Sequence, residues 1–207
     1  MRIEQNKLWE NFYAGDSQVF YPSKFAESVL PLLEQGGQLL DVGCGNGRDS
    51  VYFAQNGVDV TAIDLSQKAI AGLKSRAPCI RAVCDNVLTS SVFAEDAFDY
   101  IYSRFFIHAL TESEQSQLLE HCLHSLRSGG LLLIETRCVE DELCGVGERI
   151  SKTEWAVDGH YRRFIVPEEL EAQLDGLGFK HIRTLKSKGF APLHTADPVI
   201  LRIFAEK

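Results

Sequence analysis

The stretch LLDVGCGNGRDS, Leu39 to Ser50, decides the fold. An apolar run ending in Asp41 leads into three alternating glycines, Gly43, Gly45 and Gly47. Val51, Tyr52 and Ala54 then follow at helical spacing, and Asn56-Gly57 closes the pattern. This is a short buried strand, a tight turn and a helix. Glycine permits the turn and also lets a ligand touch bare backbone.

Outward from this unit, the same order repeats. VDVTAID alternates as a second strand, and Ser66 caps a helix carrying Ala69, Ile70 and Leu73. CIRAVCD reads as a third strand and AFDYIYS as a fourth. Thr111 and Glu114 form a capping box before a helix that buries Leu118, Leu119, Cys122, Leu123 and Leu126. Ser128-Gly129-Gly130 is expected to close that helix. LLLIET lacks alternation, as a strand buried on both faces does. Residues 137–166 have no clean period and read as a lid, an acceptor-binding insertion or an irregular connection. Pro167 opens another helix, and FKHIRTLKS and PVILRIFAEK pair as an antiparallel hairpin across a short loop.

At the amino end, Leu8, Trp9, Phe12 and Tyr13 share a helical face. Ser23 caps a second helix with Phe25, Val29, Leu32 and Leu33 inward, kinked or split by Pro31 and ended by Gly36-Gly37. The whole predicts one α/β domain over residues 1–207. It is a three-layer sandwich around a seven-stranded, mostly parallel sheet with an antiparallel edge hairpin, and residues 1–35 form a helical cap.

The 207 residues are 45% hydrophobic and 24% charged, with a formal net charge of −8. That balance disfavours nucleic-acid and anionic-membrane partners, which require a basic face. The cationic cluster Lys180, His181, Arg183, Lys186 and Lys188 reads as a solvated strand edge. No apolar run reaches the roughly 18 residues of a membrane span, and MRIEQNKLWE lacks a signal-peptide core, so a cytoplasmic location is expected. Cysteines 44, 79, 84, 122, 138 and 144 form no C-x-x-C pair and read as reduced thiols. Cys138, Cys144 and His160 match no familiar zinc spacing, and no metal is expected.

In doubly wound folds, ligands sit at the carboxyl ends of the strands, where the strand order reverses. The glycines here run G-x-G-x-G, with Arg48 in the place of the third dinucleotide glycine, and there is no phosphate-loop motif. Asp41, Asp64 and Asp85 end the first three strands. Three converging carboxylates repel a pyrophosphate. They suit a ligand with positive charge and a ribose diol, as S-adenosylmethionine has.

On LLDVGCGNGRDS, VDVTAIDLS, VCDN, FDYIYSRFFIHAL and LRSGGLLLIET, the chain resembles the class I S-adenosylmethionine-dependent methyltransferases, a Rossmann-like fold, over roughly residues 39–136. GCGNGRDSVYFAQNGVDVTAIDLS also resembles the tellurite-resistance and thiopurine methyltransferase branch. The resemblance implies that Gly43, Cys44 and Gly45 contact the methionine half of the cofactor, with Asp41 ordering its amino group. It implies that Asp64 accepts the ribose hydroxyls, that Leu65 packs on adenine, and that Asp85 with Asn86 reads the adenine amino group. Ser103 and Arg104 would border the methionine, and Tyr13 would close over the cofactor. Arg48 joins the cofactor set as the first residue after the loop.

Methyl transfer is an in-line displacement, in which holding the reactants aligned supplies about 7–11 kcal/mol of the barrier. His108, past the fourth strand, and His160 and Tyr161 in VDGHYRRF are the candidate proton acceptors. Arg137, Arg162 and Arg163 are candidates to grip an anionic acceptor, and Glu135 and Thr136 line the pocket. SRFF stands where exocyclic-amine enzymes carry N/D-P-P-Y/F. The expected activity is methylation of an oxygen or nitrogen on a small molecule of anionic or sugar type, yielding S-adenosylhomocysteine, by a monomer or homodimer. The alternatives are a non-catalytic S-adenosylmethionine-binding protein and a nicotinamide-dependent oxidoreductase.

Overall fold

The computed structural model describes residues 9–13, 19–157, 160–192 and 196–207; Leu8 lies outside them. The central strand is β1 (Gln38–Val42), with β2 (Asp59–Asp64) and β3 (Arg81–Cys84) stepping outward on one side. The chain then crosses to β4 (Phe98–Arg104), β5 (Leu126–Arg137), β9 (Lys180–Ser187) and β10 (Ile200–Glu206) on the other. The order is β3-β2-β1-β4-β5-β10-β9. The first five strands are parallel, and β10 runs against both its neighbours. The reversed strand is therefore internal, and β9 is the edge. Its exposed Lys180, Arg183 and Lys186, with Lys188 just beyond its end, blunt that edge against pairing with another chain.

Helices α1 (Lys24–Val29), α2 (Arg48–Gln55) and α3 (Gln67–Arg76) cover one face, and α4 (Glu112–Ser125) and α5 (Pro167–Leu177) the other. Strand alternation assigns the two cores. Leu39, Tyr100, Tyr102 and Leu133 pack with Phe25, Phe53, Ile70 and Leu73. Leu40, Val42, Ile101 and Ile134 pack with Leu118, Leu119, Leu170 and Leu174. The expected caps form: Ser23 accepts from Ala26 N–H at 3.0 Å, Ser66 from Ala69 N–H at 3.2 Å, and Thr111 and Glu114 complete their box.

Two local expectations are corrected, and the segment without a period gains a structure. Pro31 turns the end of α1 into a 3-10 turn, Leu30–Leu32, which shifts the phase and leaves Leu32 47% exposed. Residues 128–130 do not close α4, which ends at Ser125; they form a bulge inside β5. A Cβ on Gly130 would stand 2.9 Å from the Asp99 carbonyl oxygen, so a glycine lets the two strands close. The segment without a period contains a small antiparallel sheet of β6 (Glu148–Arg149), β7 (Glu154–Val157) and β8 (His160–Arg163). Its strands are too short to declare an alternation.

Candidate functional site

The crossover from β3 back to β4 opens a crevice beside the carboxyl end of β1. The loop 43–47 lies there. Gly43, Gly45 and Gly47 have φ of +70°, +54° and +71°, a left-handed backbone that side-chained residues rarely adopt. Space gives a second reason for glycine. A Cβ on Gly45 would stand 2.2 Å from Tyr13 Oη, and one on Gly43 2.3 Å from the Phe106 ring.

The carboxylates fall into three environments. Asp64 accepts from Gly45 N–H and from Ser66 N–H, each at 2.8 Å. These bonds tie β2 to the loop, and burial still raises its pKa. Asp41 is buried and accepts from Ser50 Oγ at 2.5 Å. Burial outweighs that bond and pushes its pKa up to about 7. Asp85 is exposed at the end of β3 and accepts from Asn86 N–H at 2.8 Å. Beside it, Leu65 presents an exposed apolar side chain, and Asn86 Oδ1 accepts from Leu88 N–H. Asp49, the acid next to Arg48, is of another kind. It accepts from Ser23 N–H, Ser23 Oγ and Tyr102 Oη at 2.7–2.8 Å and anchors α1 to α2.

Residues 9–13 close the crevice. Glu10 accepts from Gln67 N–H at the start of α3, Tyr13 lies on Gly45, and Trp9 meets the His160 ring edge-on at 6.1 Å. Burial, with Asp64, Cys44 and Asp41 nearby, raises the Tyr13 phenol, which stays neutral. Cys44 is half-buried in the loop, its thiol also pushed up by burial. Arg48 stands 3.8 Å from Asp49. Burial and the neighbouring Arg104 guanidinium lower its pKa. A cavity of about 320 Å³ lies at the opposite end of the sheet, lined by Gly36, Gly37, Asp99 and Arg127 among others; Asp99 there neutralises Arg127 at 2.8 Å.

Beyond β4, Ser103 Oγ is buried with no partner among the described residues. Arg104 and Arg202 hold the fully buried Glu135 at 2.8 and 2.7 Å. Phe105 takes φ +50°, a conformation that costs about 1–3 kcal/mol in a residue with a side chain. This turn sends Phe106 onto Gly43 and leads into His108, whose Nδ1 lies 3.4 Å from Thr136 Oγ1. Burial, with Arg137, Arg162 and Arg163 around it, holds the His108 pKa down at about 3. The imidazole is neutral.

The register of β7 and β8 sorts the remaining candidates. His160 and Arg162 share one face of β8, opposite Val157 and Trp155; Tyr161 and Arg163 share the other. Tyr161 Oη donates to Glu154 at 2.6 Å. Arg163 donates to Leu110 O at 3.0 Å and to Gln115 Oε1. The Tyr161 bond closes within the small sheet, Arg163 holds that sheet to the body of the fold, and both lie on the face opposite His160 and Arg162. Arg137 pairs with the buried Asp141. Arg162 is half-buried and has no ion-pair partner among the described residues. Sequence reading missed Phe106, Phe105 and Trp155; no periodicity marks a ring that packs against a glycine. Among the described residues no group of three His, Cys, Asp or Glu side chains could hold a metal ion, and no helix is long and apolar enough to cross a membrane.

Comparison with known proteins agrees with this geometry. A methyltransferase domain family matches residues 16–184. A ubiquinone biosynthesis O-methyltransferase of Sinorhizobium fredii is 28% identical over 161 residues, covering 74% of this chain. The match spans only 63% of that relative's length. Among solved structures, a SAM-dependent methyltransferase from Methanosarcina mazei superimposes with a TM-score of 0.74 at 19% identity, over 87% of this chain and 96% of its own. A TehB-like SAM-dependent methyltransferase from Corynebacterium glutamicum gives 0.66 at 20% identity, over 100% and 99%. The seven-stranded mixed sheet flanked by helices is the Rossmann-like fold of these proteins, and the likeness to the tellurite-resistance branch holds at the level of fold.

Proposed function

This chain belongs to the methyltransferase domain family, and we propose from that premise that it transfers the methyl group of S-adenosylmethionine to an oxygen or nitrogen of a small-molecule acceptor of anionic or sugar type. The observation that carries the reading is the Asp64 carboxylate. Two backbone N–H groups fix its oxygens, at 2.8 Å each, beside a bared glycine loop and the exposed Leu65. Each carboxylate oxygen keeps lone-pair capacity for a hydroxyl donor, which suits a vicinal ribose diol, and Leu65 offers a base an apolar surface. A pyrophosphate would meet Asp41, Asp64 and Asp85 instead of backbone donors.

The residues fit the cofactor. Ser103 Oγ is a buried hydroxyl that no described residue satisfies, at the strand end where the methionine half would lie. Asp41 lies at the end of the neighbouring strand to take an ammonium, and the charges of Arg48 and Arg104 act on each other and add positive potential for a carboxylate. When bound, the cofactor supplies an electrophilic methyl on a sulfonium. The left-handed glycine turn would present its backbone to it, with Phe106 packed on Gly43 and Tyr13 on Gly45, Tyr13 and Trp9 exclude water, and residues 137–166 form the acceptor side as a lid. His108 is a neutral imidazole able to take the acceptor's proton. Burial first, and then three arginines, oppose its protonated form, and an anionic acceptor offsets the arginine part.

Calorimetric titration with S-adenosylmethionine, S-adenosylhomocysteine and NAD tests the reading. Binding of both nucleosides and turnover to S-adenosylhomocysteine on a pooled metabolite set are expected. Nucleoside binding without turnover would support the non-catalytic alternative, and tight binding of NAD alone would overturn the assignment.

A further inference from the structure

The geometry points to an oxyanion subsite on one face of the small sheet, where Arg162 and the indole N–H of Trp155 bind a carboxylate or phosphate group; that this anion belongs to the methyl acceptor rests on the function proposed above.

Arg162 and Trp155 are directly paired across β7 and β8, so their side chains stand side by side on one face. Both carry donors without an acceptor among the described residues. Trp155 Nε1 is buried and unpartnered among the described residues. Arg162 is half-buried and has no hydrogen-bond or ion-pair partner among the described residues, Asp141 acting on it only through its charge. Other arginines of the fold are matched: Arg104 and Arg202 share Glu135, and Arg137 has Asp141. An orphaned indole N–H costs free energy, as does a guanidinium removed from water without a counter-anion. Two such groups placed together are explained by one ligand that satisfies both.

This face looks toward the crevice. His160 lies on it and meets Trp9, which stacks on Tyr13 over Gly45. Arg162 also acts electrostatically on His108 beyond β4 and on Arg137 at the end of β5, with Asp141 the acid in range. Arg149 stands over the Trp155 ring at 5.9 Å and adds positive potential from β6. An oxyanion here would lie between the small sheet and the candidate base. A charge-assisted pair from a guanidinium with a second N–H donor is a strong recognition unit for carboxylate or phosphate.

The chain has two tryptophans, so a Trp9→Phe protein makes Trp155 the fluorescent reporter. Benzoate and inorganic phosphate are titrated separately, with and without saturating S-adenosylhomocysteine. We expect a saturable change in Trp155 emission with at least one anion, weakened about tenfold or more by Arg162→Gln and retained in part by Arg162→Lys. Which probe binds identifies the oxyanion as carboxylate or phosphate. Calorimetry on Trp155→Phe, which keeps the packing and removes the N–H, should show weaker binding of the same anion, and this decides the matter should Arg162→Gln fail to fold. Equal affinity in parent and variants, or no saturable response to either anion, overturns the subsite. S-adenosylhomocysteine binding without anion binding leaves the methyl-transfer reading standing. Anion binding without S-adenosylhomocysteine binding leaves the subsite standing and removes its link to methylation.

Discussion

The Asp64 carboxylate, at the end of β2, accepts the backbone N–H of Gly45 at 2.8 Å. The acid that ends β2 thus holds the loop that follows β1, and structure and ligand recognition meet in one side chain. Asp64→Ala should lose S-adenosylhomocysteine affinity by about 10²-fold or more, since each hydrogen bond to a charged group is worth about 1.5–3 kcal/mol. It should also lower the melting temperature by freeing the loop. Calorimetry and thermal denaturation read the two effects; parental affinity would remove Asp64 from the site.

Gly45→Ala faces two separable obstacles, the left-handed backbone at +54° and the Tyr13 hydroxyl at 2.2 Å from the new methyl. We expect a destabilisation of about 1–3 kcal/mol. Tyr13→Ala in the same chain should recover the steric part and leave the backbone part. A double-mutant cycle by chemical denaturation measures the coupling, and strict additivity would mean that Tyr13 does not press on Gly45.

Asp41 and His108 make opposite contributions to the pH dependence of stability. Asp41 titrates near 7 in the folded chain, above its unfolded value, so its contribution is full below about pH 4 and is lost as pH rises to 7. His108 titrates near 3, below its unfolded value, so its contribution is full above about pH 6.5 and is lost as pH falls toward 3. Asp41→Asn should flatten the decline on the approach to neutrality, and His108→Gln the decline toward acid. Urea melts from pH 4 to 8 check both. Affinity for the cationic cofactor should also rise through pH 7 in the parent and not in Asp41→Asn.

Turnover should fall about 10²–10⁴-fold in His108→Ala if the imidazole takes the acceptor's proton. S-adenosylhomocysteine affinity should stay unchanged, because His108 lies against Thr136 and Phe105, not against the glycine loop. An unaltered rate would exclude the residue from proton transfer.

Asp49→Ala is expected to be among the most damaging single changes away from the glycine loop, at about 3–5 kcal/mol. It strands Ser23 N–H and leaves Ser23 Oγ and Tyr102 Oη only each other, at 3.2 Å, in a buried network at the junction of α1, α2 and β4. A chemical denaturation midpoint close to that of the parent would show that solvent satisfies those donors.

Much of this was legible in the chain. The glycine alternation, the acids at strand ends and the caps at Ser23, Ser66 and Thr111 are local signals, each set by the backbone angles or bonds of a few neighbouring residues. They led to the sheet, the crevice and a nucleoside-type ligand. The bulge at Gly129 and the phase slip at Leu32 were not legible, because each answers to a neighbouring strand or a change of helix type that no single segment encodes. The same holds for the arginines. Arg137, Arg162 and Arg163 look alike in sequence, but Asp141 neutralises the first, Gln115 and Leu110 hold the third, and the second has no ion-pair partner among the described residues.

By itself, then, the sequence determined the periodicities, the turn that only glycine tolerates and the sign of the charge at the strand ends, since these depend on contacts between near neighbours. Only the tertiary structure decided which cations are cancelled, which donors are orphaned and which rings close on the loop. Those outcomes depend on pairings between residues far apart in the chain, made when the two halves of the sheet meet.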